Sequence, residues 1–284
     1  MYNDILSIGP FTIHGYGLMI AIGVMTALFT AEARAKSRNL NIDEIYNITL
    51  WCAIFGFLGA KVMFCIVEWK SFLADPWSIL KSTGFVVYGG LIGGTLAGYI
   101  WGRLRKLVFL DYFDLAMPSV ALAQGCGRLG CFLAGCCYGR ETDSVLGIVF
   151  HNSDYAPNNV KLIPTQLISA FGMFAIAGIC LWYARKPRKR GTTGCLYLIL
   201  YSIGRFGVEF LRNDHRGEIG IFSTSQFISL FIVLIGVAGF VVVSRRDFGS
   251  LMVNDRKTVT AEDKIISETA VADRETEEND IKNK

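Results

Sequence analysis

Apolar runs of membrane length alternate with short polar connections along the first 244 residues, a rhythm that predicts helices rather than strands. The runs cover residues 16–31, 47–67, 85–101, 112–137, 164–183, 193–210 and 222–244, and the last is uninterrupted and uncharged. Residues 1–15 are short, apolar and turn-rich, with Gly9-Pro10 and His14-Gly15, and are expected to lie along the membrane interface. Asp75-Pro76 breaks any helix between the second and third runs. Beyond residue 244 apolar periodicity stops, so 245–284 reads as a charged tail, disordered or transiently helical. The pattern predicts an all-α, polytopic integral membrane protein with about seven transmembrane helices in residues 16–244.

Charge then orients the chain. Lys/Arg clusters follow the first, third, fifth and seventh runs: Arg34-Lys36-Arg38, Arg103-Arg105-Lys106, Arg185 to Arg190, and Arg245-Arg246. The positive-inside rule puts them and the C-terminus in the cytoplasm and the N-terminus outside. Composition agrees: 52% of the 284 residues are hydrophobic and 18% charged, whereas soluble domains carry about a quarter charged residues. Nothing basic and interleaved with aromatics points to nucleic acid. No cleavable signal peptide is expected, since Asp4 precedes the first run and no basic n-region does.

Polar residues inside the runs are the candidate chemistry. The stretch 123–140 carries Arg128, several glycines and Cys126, Cys131, Cys136 and Cys137 between apolar segments. A charge at bilayer depth costs at least ~2.5 kcal/mol, so Arg128 either faces a wet or ligand-filled cavity or snorkels from a helix end. In the sixth run Tyr201, Arg205 and Glu209 recur every four residues and Arg212 follows by three, stacking along one helix face. Arg205 and Glu209 there form either a structural clamp or an anion site. Lys61, Arg128 and Arg205 outnumber the acids near them, Glu209 and Asp114, which favours an anionic ligand such as a phospholipid headgroup. Gly90, Gly94 and Gly98 repeat every four residues and are expected to serve close helix contact. The cysteines lack C-x₂-C pairs, and residues five apart diverge on a helix, so they are read as small packing residues with no metal and no cofactor. His14 and His215 fall near run ends, and His151 lies in a polar loop with Asp154.

At these residues the chain resembles the prolipoprotein diacylglyceryl transferase family. Gly127-Arg128-Leu129-Gly130-Cys131-Phe132, Gly135 and Gly139-Arg140 are similar to the family signature G-R-x-G-N-F-x-N-G-E with a following W/Y-G-R. Ile8-Gly9-Pro10, Tyr16-Gly17-Leu18-Met19, Gly89-Gly90-Leu91-Ile92-Gly93, Pro164-Thr165-Gln166-Leu167 and the Tyr201 to Arg212 motif extend the likeness over most of 5–244. The departures are Cys131 and Ala134 for the two asparagines, Cys136 for the glutamate, Tyr88 where many members carry a histidine, Ile168-Ser169 for Tyr-Glu, and Gly15 for Trp. The resemblance implies transfer of the diacylglyceryl group of phosphatidylglycerol to the lipobox cysteine of a prolipoprotein signal peptide, in the bacterial cytoplasmic membrane. It implies catalytic roles for Arg128, Arg205, Glu209 and Tyr88. Substrate binding would fall to Tyr16, Lys61, Gly89, Gly90, Gly130, Gly139, Tyr201 and Arg212. A relative with altered lipid or thiol substrate, a lipid-binding protein, and a small-solute transporter are the alternatives; no internal repeat favours the last.

Overall fold

The computed structural model describes residues 4–8, 11–82, 84–153, 155–213, 218–219 and 222–245, and helices dominate it. Asp154, His215, Arg246 and the tail lie outside the described residues. A hairpin of β1 (Asp4–Ile8) and β2 (Phe11–His14) leads into α1 (Gly15–Lys36), so the N-terminal segment carries regular structure that its turn residues alone did not predict. Then come α2 (Ile42–Val67), the short α3 (Trp69–Ala74) and α4 (Pro76–Lys81), α5 (Val87–Leu104) and α6 (Phe109–Ala134). A two-residue pair, β3 (Ile148–Val149) with β4 (Lys161–Leu162), precedes α7 (Thr165–Tyr183) and α8 (Thr192–Glu209). The pair β5 (Glu218–Ile219) and β6 (Phe222–Ser223) precedes α9 (Thr224–Arg245).

Each expected run corresponds to one long helix. Among the described residues α1, α2, α7 and α9 are long and apolar enough to cross a membrane. Glycines or polar groups dilute α5, α6 and α8, which are 18, 26 and 18 residues long. Phe57, Phe171 and Leu234 are 62%, 78% and 60% exposed, an outward apolar surface that fits lipid rather than water.

Local chemistry explains where the helix ends differ from the hydropathy pattern. α2 starts at Ile42 because the Asn41 side chain accepts the Asp43 amide at 2.9 Å, and Asp43 and Glu44 favour the positive end of the dipole. Pro76 does end α3, and it also begins α4, where Asp75 caps the Ser78 amide at 3.1 Å. α6 stops at Ala134 rather than running to 137, because Gly135 adopts φ 74°, the left-handed cap that glycine tolerates.

α6 is the centre of the bundle and touches α1, α7 and α8; α8 also pairs with α9, and α2 with α5. Ala121, Met173, Ile176, Ala177, Cys180 and Tyr197 form the α6–α7–α8 core. Pro118 lies inside α6 and supplies no N–H to the Asp114 carbonyl. Arg34 of α1 fills that gap, donating to Asp114 O at 3.1 Å and Leu115 O at 2.6 Å. The Asp114 carboxylate accepts the Gly191 and Gly194 amides at 2.6 and 2.7 Å, satisfying the orphan donors at the start of α8.

α2 and α5 meet through glycine. A methyl on Gly90 would lie 3.1 Å from the Gly56 carbonyl oxygen, and one on Gly94 3.2 Å from that of Cys52. The glycine repeat therefore serves close backbone approach, as its spacing predicts.

The basic clusters gather at one end of the bundle. Arg38 donates to Ala184 O at 3.3 Å, Lys189 to Ser244 O at 2.8 Å, and Arg190 pairs with Asp111 at 3.0 Å. Arg105 pairs with Glu44 at 3.1 Å, beside the Trp101 indole. The opposite end carries the 135–163 connection, Arg212 and the start of α9.

Candidate active site

On α8, the four-residue spacing of Arg205 and Glu209 places both side chains on one face, where they form an ion pair. Their side chains are 11% and 8% exposed, so each charge needs its partner. Serines on either side of the β6–α9 junction complete the arrangement: Arg205 Nη2 donates to Ser225 Oγ at 2.7 Å, and Ser223 Oγ donates to Glu209 Oε1 at 2.8 Å. Ser223 is itself fixed by Gln226, whose Oε1 accepts its amide at 3.1 Å and whose amide donates to its hydroxyl at 3.2 Å. Glu209 thus has one oxygen on Arg205 and the other on Ser223. That geometry suits a group that aims a guanidinium better than one that collects protons.

Arg128, from the last two turns of α6, and Arg205 line the same hollow. It holds about 60 Å³ between α6, α7 and α8, and Ser169, Gly172, Tyr201 and Gly204 complete much of its wall. Tyr201 is held by stacking on Tyr197 at 5.7 Å between ring centres, and Tyr197 donates to Gln124 Oε1 at 2.8 Å. Arg128 and Arg212 are both close enough to Arg205 to repel its charge. Such a concentration of cations between apolar helices suits an anion. A larger cleft of about 360 Å³ between α1, α2 and α6 is lined by no charged side chain.

The chain after α6 closes one side of this region. Gly139 and Arg212 pair as an isolated antiparallel bridge; Gly139 N donates to Ile163 O at 3.1 Å and Arg140 N to Leu211 O at 2.9 Å. Any side chain at Gly139 would collide with these carbonyls, lying 2.6 Å from Ile163 O and 2.8 Å from Leu211 O. Thr165 Oγ1 donates to Cys137 O at 2.7 Å and Gln166 Nε2 to Cys136 O at 2.8 Å. The thiol sulfurs of Cys131, Cys136 and Cys137 lie within 4.8 Å of one another. Spacing on a single helix predicts divergence; only Cys131 is on the helix, and the left-handed Gly135 turns Cys136 and Cys137 back toward it. Tyr16, in the first turn of α1, lies within electrostatic range of all three thiols and of Arg128. Gly130 permits that approach, since a methyl there would meet the Tyr16 ring at 3.1 Å.

The profile of the family described as prolipoprotein diacylglyceryl transferase matches residues 3–242. This chain belongs to that family. It is 47% identical over 230 residues to the phosphatidylglycerol–prolipoprotein diacylglyceryl transferase of Clostridium tetani, covering 80% of this chain and 92% of the relative. It is 46% identical over 227 residues to the Clostridium perfringens protein named phosphatidylglycerol–prolipoprotein diacylglyceryl transferase 2, covering 79% and 89%. A relative from Staphylococcus carnosus bearing the transferase name is 34% identical over 247 residues, covering 84% and 88%.

The family's expected site residues divide into two groups in this structure. Tyr16, Arg128, Gly130, Gly139, Tyr201, Arg205, Glu209 and Arg212 converge around α6, α8 and the 135–140 turn. Lys61, Gly89, Gly90 and Tyr88 belong to the α2–α5 pair. All hydrogen bonds of the Lys61 ammonium among the described residues run to the segment ahead of α5: Ser82 O at 2.6 Å, Ser82 Oγ at 3.4 Å and Gly84 O at 3.4 Å. The rings of Phe64 and Phe85 flank it at 5.2 and 5.0 Å. Its ammonium donors are engaged there, while the cations that act on Arg205 electrostatically are Arg128 and Arg212. Gly89 and Gly90 face Gly59 and Gly56 of α2, and Tyr88 is 37% exposed in the first turn of α5. Hydropathy does not single out Ser223, Ser225 and Gln226, because they open a run whose remainder is apolar. Their signal is the polar Ser223-Thr224-Ser225-Gln226 at the head of an otherwise apolar helix.

Proposed function

We propose that this membrane protein transfers the diacylglyceryl group of phosphatidylglycerol to the lipobox cysteine thiol of a prolipoprotein, at the outer face of a bacterial cytoplasmic membrane. Residues 16–244 form the catalytic membrane domain in this reading, with 1–15 at the interface and 245–284 on the cytoplasmic side. The observation that carries it is the hollow lined jointly by Arg128 and Arg205. The transfer breaks the bond between a glyceryl carbon and a phosphate oxygen, so negative charge builds on the departing glycerol phosphate. Guanidinium groups meet such oxygens bidentately and need no reorganisation once held in place. Ser225 and Glu209 hold Arg205, and Tyr201 shapes the wall beside it. Glu209 is then a positioning residue, and Tyr88, in the first turn of α5, is not among the residues lining the arginine hollow. Lys61, Gly89 and Gly90 support the α2–α5 pair and so the shape of the bundle. The basic clusters at the far end support a cytoplasmic C-terminus and an outward-facing site.

The test is direct. Purified full-length protein is incubated with labelled phosphatidylglycerol and a lipobox peptide, and thioether-linked lipid on the cysteine is measured. We expect transfer, and a fall of about 10²–10³-fold in Arg128→Ala and in Arg205→Ala, the scale for losing one preorganised donor to a developing anion. Undiminished turnover in either variant places the anion elsewhere, and lipid binding without transfer replaces the activity with a binding role.

A further inference from the structure

The thiol to be alkylated has an ordinary pKa of about 8.5 and has to ionise at a site where neither Glu209 nor Tyr88 suits the task. Beside that site lie three other thiols. Cys131, Cys136 and Cys137 are the one group of potential metal ligands that converges among the described residues, with sulfurs within 4.8 Å of one another. Three thiolates around zinc, at about 2.3 Å each, sit roughly 3.8 Å apart in a tetrahedron, about 1 Å inside the observed limit. Two of the three, Cys131 and Cys136, replace the asparagine and glutamate of the family signature, and the Gly135 turn makes those two positions neighbours.

The surroundings suit an anionic metal–thiolate group. Three thiolates and a divalent ion carry a net single negative charge. The Arg212 side chain hydrogen-bonds Cys137, and Arg128 lies within electrostatic range of Cys131. The turn is fixed from outside by Thr165 and Gln166 on the Cys137 and Cys136 carbonyls. The Gln166 amide oxygen, buried and without a hydrogen-bond partner, leaves an acceptor unfilled beside that turn.

We propose that Cys131, Cys136 and Cys137 bind one zinc ion and leave its fourth position for the substrate cysteine. This role rests on the transferase reading above; the metal site itself does not. Three protein ligands and one open position is the arrangement of catalytic rather than structural zinc, and a thiol that coordinates the ion is deprotonated. The substrate thiol binds zinc and gives its proton to water. Its sulfur attacks the glyceryl carbon attached to the phosphate oxygen; the S–C bond forms, the C–O bond breaks, and the electron pair leaves on the phosphate beside Arg128 and Arg205. Zinc changes no oxidation state.

The full chain, purified in detergent without chelator and dialysed against buffered zinc, is assayed by elemental analysis. We expect about one zinc per chain, lost in Cys136→Ser and Cys137→Ser and retained in Cys65→Ser, a thiol on α2. Zinc that is absent, or unchanged in the triple serine variant, overturns the site. Gel filtration of each variant separates ligand loss from misfolding. In cobalt-loaded protein, a lipobox peptide is expected to shift the thiolate–cobalt absorption while its Cys→Ser analogue does not; no shift with bound cobalt overturns the open-position role. Transfer is expected to drop about 10²–10⁴-fold on zinc removal, the range for losing assisted deprotonation. Stoichiometric zinc without any lipid transfer sinks the transferase reading and leaves the metal site standing.

Discussion

Glu209 receives Arg205 on one carboxylate oxygen and the Ser223 hydroxyl on the other, and this double engagement defines what the residue can do. A base would contribute an acid-side limb to the pH profile of transfer; a positioning group would not. Glu209→Gln keeps the shape and one hydrogen-bond acceptor but removes the charge that holds the guanidinium. We expect transfer to fall about 10- to 100-fold, as loss of an orienting partner does, with the acid limb of kcat/KM unmoved. Disappearance of that limb would return Glu209 to the role of base. Arg205→Lys should lose nearly as much as Arg205→Ala, because a point charge reproduces neither the fork toward Ser225 nor a bidentate grip on phosphate.

At the scale of elements, α6 combines a helix-breaking residue with the most contacts of any helix in the bundle, and the two are linked. Pro118 frees the Asp114 carbonyl, and Arg34 of α1 answers it. Arg34→Ala should cost about 1.5–3 kcal/mol, the worth of hydrogen bonds from a charged donor to buried carbonyls. In a Pro118→Ala background residue 118 supplies its own N–H, so the same change should cost about 1 kcal/mol less. Thermal or denaturant unfolding of the four proteins in detergent measures the coupling; a zero coupling energy would mean that Arg34 serves Leu115 alone. Such a partnership was invisible in hydropathy, which registered Arg34 only as part of a basic cluster ending a span.

For the whole molecule, the polarity of its two ends decides which compartment the site serves. Arg38, Lys189 and Arg190 lock the ends of α1, α7, α8 and α9 together on one side, while the residues lining the arginine hollow lie in the half of α6, α7 and α8 nearer the 135–163 connection. Alkaline phosphatase, active only outside the cytoplasm, should be active when fused after Pro157 and inactive when fused after Lys186. The reverse pattern would place the site on the cytoplasmic face and remove its access to exported precursors.

Hydropathy alone determined the long helices, since spans of about 20 apolar residues have few ways to satisfy their backbone in lipid. Helical periodicity likewise determined the Arg205–Glu209 pair and the glycine face of α5, because each depends on residues four apart, whereas its partner α2 emerged only from the structure. Only the tertiary structure decided that Lys61 bonds the segment before α5, that Ser223 of β6 and Ser225 of α9 engage Glu209 and Arg205, and that three thiols meet. The meeting of the thiols turns on the left-handed glycine at 135, and the closing of that region on bridges between segments some seventy residues apart, such as Gly139 with Arg212. A turn reverses the direction of the chain, and helix periodicity carries no information across it.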